Sequence, residues 1–387
     1  MQRKITVIRK TVKGKRVQKR RLTMEYVCSK CGRRESTSTR KPACECGGLW
    51  KLDFKPPKFD LNEIDKNEWS MFRYRKFMAL EDEVWKDISL GEGMTPIVRL
   101  DEDVLLKMDY FMPTLSFKDR GAAVLVAHCK SIGVDNVVQD SSGNAGNSVA
   151  AYSARAGIKC EIFVKEDTSP KKVDMIRAHG AKCTLVPGSR DHCADVCREK
   201  VWSEGVYYCN HVYNPFFYEG TKTYIYEAYE QLGRIPENII VPVGNGTLFI
   251  GVMKALEHLM ESGCIEKMPQ IIALQTETCD PLLVAAEKGL DHAADIVPQD
   301  TIAEGIAIGK PMRAEEILEY AYKYGVRFIH APEDKILEAR QKLAEKGIYI
   351  EHTTAANYAA YLNYCEKYGK TSDCLITMCG HGLKSDH

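Results

Sequence analysis

The stretch "DNVVQDSSGNAGNSVAAYSARAGIKCEIFV", residues 135–164, decides the fold. "DNVVQD" has the short apolar centre of a buried strand, and "SSG" is a turn. "GNSVAAYSARAG" has the small-residue, Ala-rich character of a helix, and Gly157 ends it. "CEIFV" is a strand again. The same alternation runs outward in both directions. "SPKKVDMIRAHG" reads as a helix with Ser169 as N-cap and Pro170 at its first position. It is followed by the strand "KCTLV", the helix "RDHCADVCREKVWSEG" and the strand "VYYCN". Later come the strand "NIIVPVG", the helix "LFIGVMKALEHLMESG", the strand "QIIALQTE", the helix "EDKILEARQKLAEKG", the stretch "YIEHTTAANYAAYLNYCEKYG" and the closing strand "CLITMC". Strands alternating with helices imply an α/β protein whose parallel sheets are covered on both faces.

A chain of 387 residues has room for two or three domains with filled cores. Its apolar runs are too short to cross a bilayer. The start, "MQRKITVIRK", lacks the apolar stretch of a signal peptide, so the expected compartment is the cytoplasm. Residues 1–21 hold ten Lys or Arg and no acid, which leaves 44 basic against 53 acidic residues, a net charge of −9, for the remainder. The arm alternates like a hairpin turning at Gly14. It carries no aromatics for base stacking, so a nucleic-acid partner is not expected. Residues 60–110 read as a mixed region with aromatic-rich helical stretches, and "FKPPKF" as a linker.

Fifteen cysteines in so large a chain do not spell a disulfide scaffold. Cys129, Cys160, Cys183, Cys193, Cys197, Cys209, Cys264, Cys279, Cys365 and Cys374 are scattered singly and read as small buried thiols. Cys28, Cys31, Cys44 and Cys46 differ. Two short pairs, each followed by glycine, stand twelve residues apart, and four thiolates on two tight turns suit a tetrahedral zinc ion. Four protein ligands leave no open position, so the expected role is structural. Free thiols or a redox pair are the alternatives.

Three stretches carry chemistry. "PTLSFKDRGAA", residues 113–123, sets Lys118 beside Phe117 and ahead of an apolar helix. A lysine amine becomes reactive when dry surroundings hold it partly neutral. "IIVPVGNGTLFIG" runs strand, glycine turn, helix, and Gly244, Asn245, Gly246 and Thr247 form a phosphate cradle. "QDSSGNAGNS" offers Ser141, Ser142 and Asn144 at a helix start, which suits a carboxylate. Each alone has a plain structural reading: a surface charge, a tight turn, an N-cap. Together an amine, a phosphate cradle, a carboxylate cradle and an inward amide are the parts that hold pyridoxal phosphate and an amino acid.

These motifs, in this order, resemble the fold-type II pyridoxal-phosphate enzymes, and the threonine synthases most closely. The resemblance runs from the Cys module through "GEGMTP", "SFKDRGA", "SSGNAGNS", "YEGTKT", "VPVGNGT" and "EHTTAA" to "CGHGLKS". It implies two α/β lobes and a zinc-ribbon-like module. Residues 1–55 would be the basic hairpin and Cys module, 56–125 with 215–387 the large cofactor-binding domain, and 126–214 a small domain inserted in it. Lys118 would carry the cofactor and move protons, Phe117 would lie against its ring, and Asn144 would touch the ring oxygen. Gly244, Asn245, Gly246 and Thr247 would hold its phosphate. Ser141, Ser142 and Asn144 would take the substrate carboxylate.

The departures are specific. Cys379 stands where the family places Ser or Thr opposite the pyridine nitrogen. Threonine synthases grip the substrate phosphate partly with an Arg in a segment like "NPFFYEG", where this chain has Phe216 and Phe217. Lys172 and Asn210 match two other phosphate-gripping positions, and His211 replaces a hydroxyl. With Phe217 these residues would set the substrate. The first expectation is elimination and replacement on a small L-amino acid or its phosphate ester, as in the conversion of O-phosphohomoserine to threonine and phosphate. The second is β-replacement on O-phosphoserine with sulfite, as in cysteate synthases. A dehydratase or ammonia-lyase is third, and a nucleic-acid-binding zinc-ribbon protein is the alternative outside enzymes. The resemblance also implies a homodimer.

Overall fold

The computed structural model describes residues 24–80, 83–141 and 143–385. The hairpin expected around Gly14, and Ser142, lie outside the described residues. In chain order the strands are β1 (Glu25–Cys28), β2 (Arg34–Ser36), β3 (Trp50–Asp53), β4 (Ile97–Arg99), β5 (Val104–Lys107), β6 (Asn136–Gln139), β7 (Lys159–Lys165), β8 (Lys182–Val186), β9 (Tyr207–Tyr208), β10 (Asn238–Pro242), β11 (Gln270–Thr276), β12 (Arg327–Ala331) and β13 (Cys374–Thr377). They build three sheets, ordered β2-β1-β3, β12-β11-β10-β13-β5-β4 and β8-β7-β6-β9.

The six-stranded sheet holds the main core. Ile240 of β10 pairs with Ile272 of β11 on one side and Ile376 of β13 on the other, and all three are fully buried. Such continuous apolar strands are what a parallel sheet covered on both faces requires. One edge departs from the all-parallel expectation: β4 runs antiparallel to β5. Only residues 100–103 join the two strands, far too few for the crossover that a parallel pair needs. The four-stranded sheet is parallel throughout. Its helices follow the sequence reading: Asn144–Ala156 closes at Gly157, and Ser169 Oγ caps Pro170–Ala178 by accepting from Lys172 N. The reading did not identify β4, β5 and β12 as strands. It also did not identify the helices Phe216–Thr221, Thr223–Leu232, Pro281–Lys288 and Ala314–Tyr324.

A buried ion network fixes the helix Lys118–Ser131 against the six-stranded sheet. Arg120 donates to both Asp109 oxygens at 2.8 and 2.7 Å and to both Glu227 oxygens at 2.6 and 2.7 Å. Lys107 donates to Glu227 at 2.9 Å. The side chains of these ion pairs have no solvent exposure. A guanidinium stays charged in such a place and needs two planar acceptors, which Asp109 and Glu227 supply. Lys118 starts the same helix two residues earlier, so the network sets where its side chain begins.

The cysteine module docks on this body through aromatic contacts. Tyr26 stacks on Trp50 with centroids 5.9 Å apart and meets Phe216 edge-on at 6.1 Å, while Phe216 stacks on His128 at 3.7 Å. All fifteen cysteines are free. Of the scattered ten, Cys160, Cys183, Cys264 and Cys365 are half-buried and the others buried, close to the expectation. Among the described residues no helix is long and apolar enough to cross a membrane.

Candidate active site

Helices and turns at the carboxyl ends of both parallel sheets open into one cleft of about 250 Å³. On the six-stranded side, β10 leads through Gly244, Asn245 and Gly246 into the helix Thr247–Glu261. Gly246 has φ +76°, and a Cβ on it would stand 2.4 Å from Ile317 Cδ1, so the turn requires glycine. The loop therefore lines the cleft with backbone at a helix start, the donor set that suits a phosphate.

Lys118 Nζ donates to Thr247 Oγ1 at 3.1 Å and lies over the Phe117 ring at 4.7 Å and the Phe217 ring at 5.8 Å. Burial brings its pKa down from the ordinary lysine value to about 8, against the pull of Cys379 and Glu351. A fair fraction of the amine is then neutral near physiological pH. Phe117 N donates to Cys379 O at 2.9 Å, which ties the lysine turn to the end of the closing strand. The Cys379 thiol lines the cleft, and Asn357 Nδ2 donates to its sulfur at 3.5 Å. Burial pushes that thiol up, so it stays protonated.

On the opposite side, Ser141 and Asn144 line the cleft at the start of the helix Asn144–Ala156. Lys172 and His211 line it too. Lys172 Nζ reaches Glu304 at 2.7 Å, an ion pair that joins the two sides of the cleft. Two expected substrate contacts are not in its wall. Asn210 is turned away, its amide donating to Asp140 Oδ1 at 2.8 Å and to Tyr208 OH at 3.1 Å. Phe217 is fully buried behind the wall, where Gly121 makes room for it: a Cβ at Gly121 would stand 2.3 Å from its ring. Phe216 is spent on His128 and Tyr26, so this segment anchors the cysteine module instead of presenting a side chain to the cleft.

Glu351, Glu304, Arg190 and Lys384 are charged lining residues that had no role in the sequence reading. Glu351 accepts from Asn144 Nδ2 with both oxygens, at 3.1 and 3.0 Å. Its carboxyl lies where a Cβ on Gly380 would be, and burial raises its pKa. The "EHTTAA" motif contains it and was the available signal. Nothing in the residues around Arg190 or Glu304 marked them, because tertiary packing alone brings them to the cleft.

The donor set fits pyridoxal phosphate: a partly neutral amine, a glycine loop at a helix start, an aromatic neighbour and a thiol at the far wall. A family model described as "Pyridoxal-phosphate dependent enzyme" matches residues 88–380. The chain belongs to that family. It is therefore a pyridoxal-phosphate enzyme of the fold-type II class, with pyridoxal phosphate as cofactor. A threonine synthase of Methanocaldococcus jannaschii is 33% identical over 379 residues, covering 92% of each chain. One of Methanosarcina acetivorans is 28% identical, covering 92% of this chain and 91% of its own. Among solved structures, threonine deaminase isoform 2 of Solanum lycopersicum matches with a TM-score of 0.66 at 21% identity, over 84% of this chain and 86% of that one. At that identity the likeness speaks for the fold.

The four clustered cysteines form a second candidate site. Their sulfurs lie within 4.8 Å of one another. The backbone N–H groups of Lys30 and Cys31 donate to Cys28 Sγ at 3.4 and 3.5 Å. Burial opposes the Cys28 thiolate, yet these bonds outweigh it and hold the pKa at about 6. Gly48 leaves the room the cluster needs, since a Cβ there would stand 2.4 Å from Cys28 Sγ. Four sulfurs at that spacing fit a tetrahedral metal ion.

Proposed function

We propose that this enzyme carries out elimination and replacement on a phosphorylated amino acid, with O-phosphohomoserine as substrate and threonine and phosphate as products. The observation that carries this reading is a cleft in which a glycine loop at a helix start and two long cations face each other around the Lys118 amine. The glycine loop is on one side, and Lys172 and Arg190 are on the other. One side suits a cofactor phosphate and the other a substrate phosphate. The similarity to threonine synthases over nine-tenths of the chain supports the same reading.

When bound, pyridoxal phosphate supplies an electron sink that lets the bond to the α-hydrogen break. The chain's own residues do the rest. Ser141 and the N–H groups at the start of Asn144–Ala156 hold the substrate carboxylate. Lys118 Nζ takes the proton from the substrate α-carbon and returns protons along its side chain. Phe117 and Phe217 keep the amine dry. A proton then leaves Cβ, its electron pair expels phosphate from Cγ, Cγ takes up a proton and ends as a methyl group, and one water molecule adds its OH at Cβ while a proton returns to Cα. The protonated Cys379 thiol is a weak donor and acceptor, and beside a bound cofactor's ring nitrogen it would leave that nitrogen largely uncharged.

Phosphate release from O-phospho-L-homoserine by the cofactor-loaded protein, with threonine in equal amount, tests the reading. Release from O-phospho-L-serine that depends on sulfite would favour β-replacement instead. The loss of a cation from "NPFFYEG", with His211 in the cleft, is the feature that keeps this second reading open. We also propose one structural zinc ion on Cys28, Cys31, Cys44 and Cys46, checked by metal analysis of the purified chain.

A further inference from the structure

Five charged lysine and arginine side chains line the cleft, and among the described residues four have partners. Lys118 donates to Thr247 at 3.1 Å, Lys165 pairs with Asp167 at 2.9 Å, Lys172 with Glu304 at 2.7 Å, and Lys384 donates to Thr114 O at 2.6 Å. Arg190 makes no ion pair or hydrogen bond with a described residue. It is also placed against the local field. Arg190 opens the helix Arg190–Glu204, where the positive end of the helix dipole disfavours a cation. Arg190 is exposed, so water solvates its guanidinium, which stands at the cleft open to an anion that arrives from outside.

A second observation points the same way. His211 is 8% exposed and lines the cleft, and its Nδ1 is buried without a hydrogen-bond partner among the described residues. A buried polar nitrogen without a partner is costly, and a ligand atom in the cleft relieves it. Burial, then Lys118 and Arg190, hold the imidazole well below its ordinary pKa, so the ring is neutral. A neutral imidazole beside a guanidinium suits a phosphate monoester. The planar fork takes two oxygens, and the ring nitrogen donates to a third or accepts from a P–OH group. The glycine loop belongs to the other sheet, so it remains available to the cofactor phosphate.

We propose that Arg190 and His211 form a distal anion subsite that receives the phosphate of the substrate ester, and that Arg190 determines specificity for phosphorylated over free amino acids. This rests on the phosphorylated-substrate reading above, and one experiment separates the two. Cofactor-loaded wild type, R190A, R190K and H211N are compared by phosphate release from O-phospho-L-homoserine and O-phospho-L-serine. They are also compared by calorimetric titration with inorganic phosphate, with the cofactor's visible band as the check on folding. R190A should raise KM for the ester at least about tenfold while kcat falls by less, and R190K, a point charge without the fork, should recover part of the loss. Affinity for inorganic phosphate should fall about tenfold or more in R190A and by less in H211N. Phosphate binding and KM unaltered in R190A overturn the subsite. Should wild type turn over neither ester, the phosphorylated-substrate reading falls, and the titration still decides the subsite: Arg190-dependent phosphate binding upholds it, Arg190-independent binding removes it.

Discussion

The two sides of the cleft are built on different plans. The side on the six-stranded sheet is rigid and dry. Lys118 is half-buried and Cys379 buried, the glycine turn cannot accept a side chain, and the Arg120 network locks the helix behind them. The side on the four-stranded sheet presents long cations from the first turns of two helices, and the Glu304 carboxylate that meets Lys172 is largely exposed. The first plan suits a group that stays; the second suits one that comes and goes. It follows that changes on the rigid side should stop the chemistry or unfold the lobe, whereas changes on the other side should retune the substrate.

The largest effect expected is at Lys118. Lys118→Ala should cut turnover by roughly 10⁴-fold, measured by phosphate release at saturating substrate. A residual rate within tenfold of wild type would erase the distinction between the two sides. The same amine sets a pH dependence. With its folded pKa depressed by burial to about 8, the unfolded chain binds more protons than the folded one between that value and the ordinary lysine pKa. Stability of the cofactor-free protein should therefore rise with pH through this window. The penalty is fully present below about pH 8, and Lys118→Met should lack the effect in urea melts. Next comes the network. Glu227→Ala strands Arg120 and Lys107 in the core and should cost about 3–5 kcal/mol by urea unfolding.

Smaller effects belong to the other side. Lys172→Ala should raise KM for the phosphate ester about tenfold, with a smaller change in kcat. Glu304→Gln should do the reverse and lower KM about twofold, because a largely exposed acid no longer competes for Lys172. If both substitutions act on kcat alone, the adaptable side has been misassigned.

The same contrast explains what could be read from the sequence. Strands β6, β7, β10, β11 and β13 and their helices are strongly patterned, and the glycine turn and Lys118 lie at their ends, so local chemistry exposed them. Helix Thr223–Leu232, "TYIYEAYEQL", is rich in aromatics and buried on most of its faces, so periodicity did not mark it. Strands β4 and β5 hid behind a four-residue connection in a region read as mixed. Arg190 and Glu304 are ordinary surface residues in sequence, and only packing brings them to one cleft with Lys172. Phe216 was legible as a departure, but its partner, the cysteine module stacked on Tyr26, was not.

The covalent attachment point is the most direct test. The purified protein, loaded with pyridoxal phosphate, is reduced with borohydride and digested, and the labelled peptide is sequenced. The label should sit on the ε-nitrogen of Lys118, within "SFKDRGA", and Lys118→Ala should take up none. A label on any other lysine, or none on the wild type, would contradict the assignment of this cleft as the active site.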